Sequence, residues 1–407
     1  MSVRRRIDVL FVVLFTILIT ISAPAALAWG GDSGKALVVN ASQGADQVYA
    51  IAEDNTLYAW GGQQSFWWNR QDELRFGGLG TGSLLEQNPT MAMVLANVKS
   101  VSASSTHALA VTQDGKLYGW GNAQFGNMGE QYYGDSANYW PDTPVLILDG
   151  VQAAAAGDTY SLVVMDNGDL WGYGGNEDGQ LAVTPELLVE YPQGIKIMDH
   201  VVAVNAVANW GEQCSSFAIQ ADGSLWGWGS NYMGRLGDGS EEDRYSPVKI
   251  MEDVSMVSLG EYATYAVKDD GSLWGWGSGL YNCLLGVNTT SPTLFMEDVR
   301  AVSAGRYFAL VIQKDDTLWA FGSAKNGLLG NGENAIYSQE AYPVQIMENV
   351  ATIAAGDHNG FAVKQDGTLW GWGVNDDGQL MDSDYEMLKL QPAQISSGML
   401  KNSRDRK

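Results

Sequence analysis

Short segments in which apolar and small residues alternate recur along this chain. The clearest unit, at residues 221–229, reads Ala-Asp-Gly-Ser-Leu-Trp-Gly-Trp-Gly. Seven close copies are present, and each is centred on one leucine: Leu57, Leu117, Leu170, Leu225, Leu273, Leu318 and Leu369. Successive leucines are 45 to 60 residues apart. A period of this length indicates a repeat architecture.

Each copy predicts a tight hairpin followed by a strand. The Asp-Gly pair supplies the positive φ that such a hairpin needs. Alternation along the strand then places Trp226 and Trp228 on one face and mostly glycine on the other. We expect the rings of one sheet to fill the glycine-lined hollow of its neighbour. Ten tryptophans follow this pattern and are predicted to be core: Trp60, Trp120, Trp171, Trp226, Trp228, Trp274, Trp276, Trp319, Trp370 and Trp372.

From Lys35 onward each repeat divides into four short strands. Residues 254–296 show this most clearly, with predicted strands at 254–259, 264–267, 273–277 and 292–296. Alternating apolar residues with regular turn signals, and no sustained helical period, favour an all-β fold.

Seven units of four antiparallel strands predict one domain, a seven-bladed β-propeller over residues 29–397. The first strand-one segment is residues 36–40 and the last strand-four segment is residues 388–395. The number of repeats is therefore whole. We expect both ends to meet and close the ring.

The amino-terminal residues 1–28 have the composition of a secretory signal peptide. Three arginines precede an apolar run at residues 9–21, and Ala26-Leu27-Ala28 offers a cleavage site. The alternative is a retained membrane anchor, for which the run is short. The prediction is a protein that is secreted, periplasmic or on the cell surface. Residues 398–407 are predicted to be a charged tail.

The net charge limits the classes of partner. The formal charge is −24, and it becomes −26 once residues 1–28, with three Arg and one Asp, are removed. An acidic surface of this size disfavours nucleic acid. For the two cysteines, Cys214 and Cys283, a disulfide and a pair of buried free thiols both remain open.

Two segments carry a family resemblance. Residues 371–380 (Gly-Trp-Gly-Val-Asn-Asp-Asp-Gly-Gln-Leu) and residues 174–181 resemble repeats of the regulator of chromosome condensation family. The resemblance implies a seven-bladed propeller that binds other proteins. Residues 175–185 also look similar to a secreted bacterial propeller that inhibits β-lactamases. Nucleotide exchange is not implied, because no nuclear targeting signal is found.

The repeats depart from the family at one position of the first turn, which is the connection between the first and second strands of a repeat. The family's histidine is present at His107, and other residues stand at the corresponding places: Tyr160, Ala263, Phe308 and Asn359.

The connections between strands predict an asymmetric ring. Because the strands are antiparallel, the first turn and the long third connection share one face, and the Asp-Gly hairpins and short linkers share the other. The insertions all fall on the first of these faces, at residues 62–88, 122–142, 230–246, 278–291 and 323–342. Loops on a rigid scaffold are common places for function.

Aromatic residues on these connections are the candidate partner-binding residues, since aromatic side chains often anchor protein interfaces. They are Trp67, Trp68, Tyr133, Trp140, Trp210, Tyr262, Tyr307 and His358. The alternative is that these rings fold back against the blade edges. By the resemblance to the β-lactamase-inhibiting propeller, Tyr262, Tyr307 and His358 carry over as interface positions.

The predicted function is an exported, non-catalytic propeller that binds an extracellular or surface protein. A carbohydrate-binding propeller is the alternative, with loop tryptophans stacking on sugars, and a hydrolase with rim carboxylates is a weaker one. The three histidines have no zinc spacing, and no phosphate-binding glycine loop is present. No catalytic residue, cofactor or metal is therefore predicted. Asp382, Asp384 and Glu386 are acidic enough for calcium, but solvated charge is the preferred interpretation.

Overall fold

A computed structural model describes residues 36–41, 47–62, 65–66, 74–75, 78–83, 87–133, 140–185, 190–206, 213–334, 342–381 and 386–395. Within these residues the chain forms seven four-stranded antiparallel sheets, each made from successive strands of the chain, with one small hairpin inserted before the last strand of the first sheet. The predicted all-β, seven-bladed propeller is confirmed.

The strands of blades 1 to 7 follow one another along the chain. Blade 1 contains Ala36–Ala41, Gln47–Ala52, Leu57–Gly62 and Gln87–Leu95. Blade 2 contains Val98–Ala103, His107–Thr112, Leu117–Gly121 and Val145–Leu148. Blade 3 contains Val151–Ala156, Tyr160–Met165, Leu170–Gly175 and Glu190–Met198. Blade 4 contains Val201–Ala206, Ser215–Gln220, Leu225–Gly229 and Arg244–Met251.

The remaining blades repeat the same order. Blade 5 contains Val254–Leu259, Ala263–Lys268, Leu273–Gly277 and Thr289–Met296. Blade 6 contains Val299–Ala304, Phe308–Gln313, Leu318–Gly322 and Val344–Met347. Blade 7 contains Val350–Ala355, Asn359–Lys364, Leu369–Val374 and Leu388–Gln394. The third connections carry a small hairpin, Ser65–Phe66 with Leu74–Arg75, and 3-10 turns at Glu130–Tyr132, Tyr232–Gly234, Leu280–Asn282 and Lys325–Gly327.

Among the described strands, none is exchanged between the first and the last blade where the ring closes. All strands of blade 1 come from the amino-terminal part of the chain, and all strands of blade 7 come from the carboxy-terminal part. The two blades share a buried apolar cluster that includes Val48 and Phe361. The Trp60 indole N–H also donates to the Gln379 carbonyl, at 2.7 Å.

Five tryptophans join neighbouring blades in the same way. The second aromatic residue of the third strand is completely buried, and its indole N–H donates to a backbone carbonyl in the long loop of the preceding blade. The nitrogen–oxygen distances are 2.7 to 2.9 Å for the pairs Trp60–Gln379, Trp120–Gly78, Trp228–Gln180, Trp276–Arg235 and Trp372–Leu328. Each bond satisfies a buried donor that would be costly to leave unpaired. Blades 3 and 6 have Tyr173 and Phe321 at this position.

The prediction that all ten tryptophans are core is only half correct. The first aromatic residue of the third strand, as in Trp226, Trp274 and Trp370, is half-buried. Its indole N–H bonds to a side chain near the hairpin, at 2.9 Å from Trp274 to Ser272 Oγ. Because the ring extends toward the hairpin at the end of the blade, part of it stays exposed to solvent. Lys268 Nζ lies 5.8 Å from the centre of the Trp274 ring.

The glycine-lined hollow is filled differently from the prediction. A Cβ placed on Gly275 would lie 2.8 Å from Leu284 and 3.2 Å from Tyr265, both of the same blade. The neighbour's ring instead lies against the long loop, where a Cβ on Gly237 would lie 2.6 Å from Trp276. Each blade therefore fills its own hollow.

The glycine that ends the third strand is required by its backbone. Gly277 has φ of +105°, and a Cβ there would lie 2.7 Å from the Tyr262 carbonyl oxygen. L residues rarely adopt this conformation, and glycine does so without a steric penalty. The same positive φ recurs at Gly61, Gly121, Gly174, Gly229, Gly322 and Gly373.

Hydrogen bonds also join the inner strands around the central axis. The Ser258 hydroxyl of blade 5 accepts from the Ala304 N–H of blade 6, at 3.0 Å. The Ser303 hydroxyl of blade 6 accepts in turn from the Ala355 N–H of blade 7, at 2.7 Å. These buried serines give the inner strands a second connection besides apolar packing.

The short linkers and hairpins form a uniform face. A linker residue in each junction has a φ near +60°, as in Asn97, His200, Asp253, Asp298 and Asn349. The linker bonds to the hairpins on both sides of it. Val254 N–H donates to the Gly223 carbonyl at 2.9 Å, and Asp269 N–H donates to the Asp253 carbonyl at 2.9 Å. This face is thus held together mainly by backbone.

The outermost strands carry a proline in every blade, within the strand or directly before it: Pro89, Pro144, Pro192, Pro247, Pro292, Pro343 and Pro392. Their pairing with the third strands is also irregular. Proline and bulges are common protections of exposed sheet edges.

Both cysteines are buried and free, so of the two open alternatives the structure has the pair of thiols. Residues 1–35 and 396–407 lie outside the described residues, as do the predicted signal peptide and tail. No helix among the described residues has the length and apolar character needed to span a membrane.

Replacing Trp276 with Phe removes the indole donor to Arg235 and reduces ring volume in a sealed site. We expect the free energy of unfolding to fall by about 2–3 kcal/mol. Trp274→Phe, two residues away on the same strand, is the matched control, because that ring is half-exposed and bonds within its own blade. It should cost below about 1 kcal/mol. Urea unfolding of both variants measures the difference, and equal losses would contradict the role of the inter-blade bond.

His107 predicts a pH dependence of stability. Its ring is buried, with Nε2 2.9 Å from Ser161 Oγ, and burial lowers its pKa from 6.5 to about 3. The unfolded chain therefore binds a proton below pH 6.5 that the folded chain does not. The free energy of unfolding should fall by about 1.4 kcal/mol per pH unit as pH decreases from about 6 toward 3.

The matched variant is His107→Asn, since blade 7 has Asn359 at this position. Urea unfolding of both proteins between pH 7 and pH 5 should show a flatter dependence in the variant. Parallel curves for the two proteins would show that His107 does not carry this effect.

Candidate functional site

Two kinds of connection meet on the long-loop face, defined as the side that carries the first turns and third connections. A residue at the end of the third strand, or directly after it, donates its N–H to a carbonyl of the first turn in the same blade. Ser278 donates to Tyr262 at 2.7 Å, Ser323 to Tyr307 at 2.9 Å, and Val374 to His358 at 2.9 Å. Each first turn is therefore fixed against the base of its long loop.

Aromatic side chains of blades 5, 6 and 7 gather on this face. The Tyr262 and Tyr307 rings stack with centres 5.9 Å apart and planes at 25°. Tyr281, from the long loop of blade 5, lies 5.3 Å from Tyr262 and 4.8 Å from Tyr307. His358 is 6.3 Å from Tyr307. We call these four half-buried side chains the tyrosine patch.

An arginine with two carboxylates lies beside the tyrosine patch. Arg306 of blade 6 is 2.5 Å from Glu261 of blade 5 and 3.7 Å from Asp357 of blade 7, in nitrogen–oxygen distance. Its guanidinium carbon also lies 5.1 Å from the centre of the Tyr307 ring. The same position of three successive first turns thus forms one ion group across three blades.

The electrostatics of the tyrosine patch follow from this group. Burial acts to lower the pKa of Arg306, but Glu261 and Asp357 outweigh it and raise that pKa. Burial, followed by the charge of Arg306, lowers the pKa of His358. Burial, followed by a hydrogen bond to Glu261, raises the pKa of Tyr262. At neutral pH, Tyr262 is a neutral phenol and His358 is a neutral imidazole, both beside a charged guanidinium.

The loop that brings Tyr281 to the patch is apolar and uncharged. Residues 278–288 contain no Asp, Glu, Lys or Arg. Leu280 is 46% exposed and Val287 is 61% exposed. Both side chains belong to the same loop as Tyr281, so this loop exposes apolar area close in sequence to a member of the tyrosine patch.

The exposed charged residues on the long-loop face are mostly acidic. Among its described residues, the exposed carboxylates are Glu130, Glu177, Glu241, Glu242, Asp243, Glu333, Asp376 and Glu386. Lys325 is the exposed cation of the same described connections. The hairpins and linkers of the opposite face are acidic as well, and some of their carboxylates pair with lysines, as in Lys249–Glu252 at 2.7 Å and Lys196–Asp199 at 2.6 Å. The exposed charges of the described long-loop connections are predominantly acidic.

The other predicted site residues lie apart from the tyrosine patch or outside the described chain. Tyr133 is 41% exposed and follows the 3-10 turn of blade 2. Trp140 is half-buried, and its indole N–H donates to Asn122 Oδ1 at 3.1 Å. Trp67, Trp68 and Trp210 fall outside the described residues. Three of the eight predicted residues, Tyr262, Tyr307 and His358, are brought together.

Sequence reasoning missed Tyr281 and the arginine group. Tyr281 has φ of +56°, and the same left-handed position is taken by Met233 in blade 4 and Asn326 in blade 6. Aligning these three repeats would have placed Tyr281 on the same surface. Arg306 was hidden because its carboxylate partners are about 45 to 51 residues away, which is one repeat in each direction.

Nothing in the described residues points to a metal centre. They contain no group of three or more His, Cys, Asp or Glu side chains able to hold an ion. Of the acidic residues considered for calcium, Asp382 and Asp384 lie outside the described residues.

Several parts of the chain match known repeat sequences. Residues 222–267 match a family profile described as "Regulator of chromosome condensation (RCC1) repeat". Residues 98–127, 151–180 and 350–379 match a second profile of the same description. These ranges lie in blades 2, 3, 4 to 5, and 7.

Relatives are 27 to 30% identical to this chain over about half of its length. The chain is 30% identical over 238 residues to the Ultraviolet-B receptor UVR8 of Arabidopsis thaliana, covering 56% of this chain and 49% of the receptor. It is 27% identical over 228 residues to the Guanine nucleotide exchange factor SRM1 of Saccharomyces cerevisiae, covering 52% of this chain and 45% of SRM1. The chain spans about half the length of these relatives.

Solved structures share the whole ring. Human WBSCR16 aligns with a TM-score of 0.69 and 20% identity, over 84% of this chain and 94% of that protein. Prp20p of Saccharomyces cerevisiae aligns with a TM-score of 0.69 and 18% identity, over 89% and 88%. At these identities the likeness shows the fold. Together with the repeat matches, it identifies the chain as a seven-bladed β-propeller that carries RCC1 repeats.

Proposed function

We propose that this chain is an exported, non-catalytic propeller that binds another protein through its long-loop face. The observation that carries the proposal is the tyrosine patch, in which four aromatic side chains from three blades remain half-exposed. Tyrosine is enriched at the centres of protein interfaces because it offers a large apolar area with few freely rotating bonds.

The rigidity of the scaffold supports the proposal. First turns and long loops are bonded to each other and to the blade, so the tyrosine patch is held in place before a partner arrives. Preorganisation of this kind lowers the entropic cost of binding. Named relatives include a receptor and an exchange factor, and Prp20p was described with its binding to Gsp1p and histones. A protein partner is consistent with those roles.

The carbohydrate alternative has less support from the described residues. It depends on Trp67, Trp68 and Trp210, which are outside them, and on Trp140, whose indole N–H is engaged by Asn122. A hydrolase needs two carboxylates at a set separation across a cleft. The closest carboxylates of the tyrosine patch, Glu261 and Asp357, both face Arg306.

The double variant Tyr262→Ala, Tyr307→Ala tests the binding surface. We expect it to lose at least about tenfold in affinity for any partner captured by the wild-type protein, since central aromatic residues contribute most of the binding energy. Tyr245→Ala is the control, because Tyr245 is 42% exposed but lies on an outer strand. Quantitative capture from surface extracts measures all three proteins. Equal capture by the double variant would refute this face as the binding site.

Export is tested separately. The sequence of residues 1–28 predicts cleavage after Ala28. Expression of the full chain in a secreting host should release a protein whose amino-terminal sequence begins with Trp29-Gly30-Gly31. Recovery of the chain only in the cytosol, with residues 1–28 intact, would contradict the proposal of export and leave the binding proposal standing.

A further inference from the structure

We infer that the partner of the tyrosine patch is a basic protein segment, whose Lys or Arg side chains bind the faces of Tyr262 and Tyr281. This rests on the proposed function and specifies the chemistry of its partner. Three features support it: the arginine already bound at the patch, the carboxylates around it, and the excess of acidic groups on the whole face.

The patch already binds one cation through an aromatic ring. The Arg306 guanidinium lies 5.1 Å from the centre of the Tyr307 ring. Cations above tyrosine faces are attracted by the negative potential of the ring. Tyr262 and Tyr281 contact this ring at 5.9 and 4.8 Å and are half-exposed. The same type of group can therefore bind the neighbouring rings from outside.

Arg306 does not make the patch repel a cation. Its charge is offset by Glu261 at 2.5 Å and Asp357 at 3.7 Å. Burial, followed by a hydrogen bond to Glu261, raises the pKa of Tyr262, so its ring is a neutral phenol. The local ion group carries one more negative than positive charge, so an incoming cation meets a neutral to acidic surface.

The wider face selects the sign of the partner. Its described connections expose eight carboxylates and one lysine, and the whole chain has a formal charge of −24. Acidic proteins, nucleic acids and a second copy of this face would all be repelled. A basic segment would be attracted before contact, which speeds association and favours the right partner. Exposed Leu280 and Val287 offer apolar area for the stems of long Lys and Arg side chains.

The probes for the test are three synthetic peptides of equal length: an Arg-Gly repeat, a Glu-Gly repeat and a Ser-Gly repeat. We expect the Arg-Gly peptide to bind the wild-type chain in calorimetry, with an affinity that falls as salt rises. The other two peptides should not bind. Absence of Arg-Gly binding, or equal binding of the Ser-Gly peptide, would overturn the inference.

Four variants separate specific binding from general attraction to an acidic protein. Tyr262→Leu, Tyr281→Leu keeps apolar volume but removes two rings, and should weaken binding of the Arg-Gly peptide about tenfold. The corresponding Phe double variant should bind within about threefold of wild type, which also reports that the loops fold normally.

The two charge variants each remove two carboxylates, and they differ in the face of the ring from which these are removed. Glu241→Gln, Glu333→Gln removes two carboxylates from the long-loop face and should weaken binding several-fold at low salt. Glu297→Gln, Glu348→Gln removes two from exposed linkers of the opposite face and should change it by less than about twofold. Equal effects of the two pairs, or no effect of the Leu variant, would contradict a basic segment at the patch.

Failure of this inference is distinguishable from failure of the proposed function. If the Arg-Gly peptide does not bind but a captured protein still depends on Tyr262 and Tyr307, the binding face stands and its partner is not basic. If the captured protein is indifferent to both tyrosines, the proposed function itself is wrong.

Discussion

The hydrogen bond from a buried indole to the preceding blade's loop is the constraint that fixes five of the seven junctions of this ring. A propeller blade can bury its faces only against its neighbours, so each junction must fix both distance and rotation. Apolar packing alone tolerates sliding, whereas an indole N–H that needs one carbonyl does not. Trp276, for example, must meet the Arg235 carbonyl, and that carbonyl belongs to the loop that also rises toward the long-loop face. The bond that orders this junction therefore also fixes the base of the long loop of blade 4.

Much of the fold could be predicted because turn residues and alternating apolar residues, which are close together in the sequence, define each repeat. The predicted strands 254–259 and 273–277 agree with the structure residue for residue, since Asp-Gly turns and alternating residues define them locally. The second and fourth strands of that blade extend further, to Ala263–Lys268 and Thr289–Met296, because their ends are set by pairing with the third strand. Whether a tryptophan is buried depends on whether the long loop of the preceding blade covers its ring and supplies a carbonyl acceptor. Alternation alone could not show that Trp276 is buried while Trp274 reaches the hairpin.

The candidate site could be predicted only in part, because some of its contacts join side chains of different repeats. Tyr262, Tyr307 and His358 occupy equivalent positions of successive repeats, so the sequence could place them on one face. Tyr281 lies in a 3-10 turn, where its direction depends on a left-handed backbone that no pattern of apolar residues reports. The Glu261–Arg306–Asp357 group joins three repeats, and only the curvature of the ring brings those side chains within reach.

The prolines on the outer strands have a consequence for how this molecule can evolve and associate. Five of the seven outer strands contain a proline, which lacks the amide donor that an added strand would need, so extension of these sheets by a peptide and fibre growth are both discouraged. If the chain binds a partner as proposed, the contacts then fall to side chains of the connecting loops. The residues of the connecting loops can then change during evolution without any change in the seven blades that carry them.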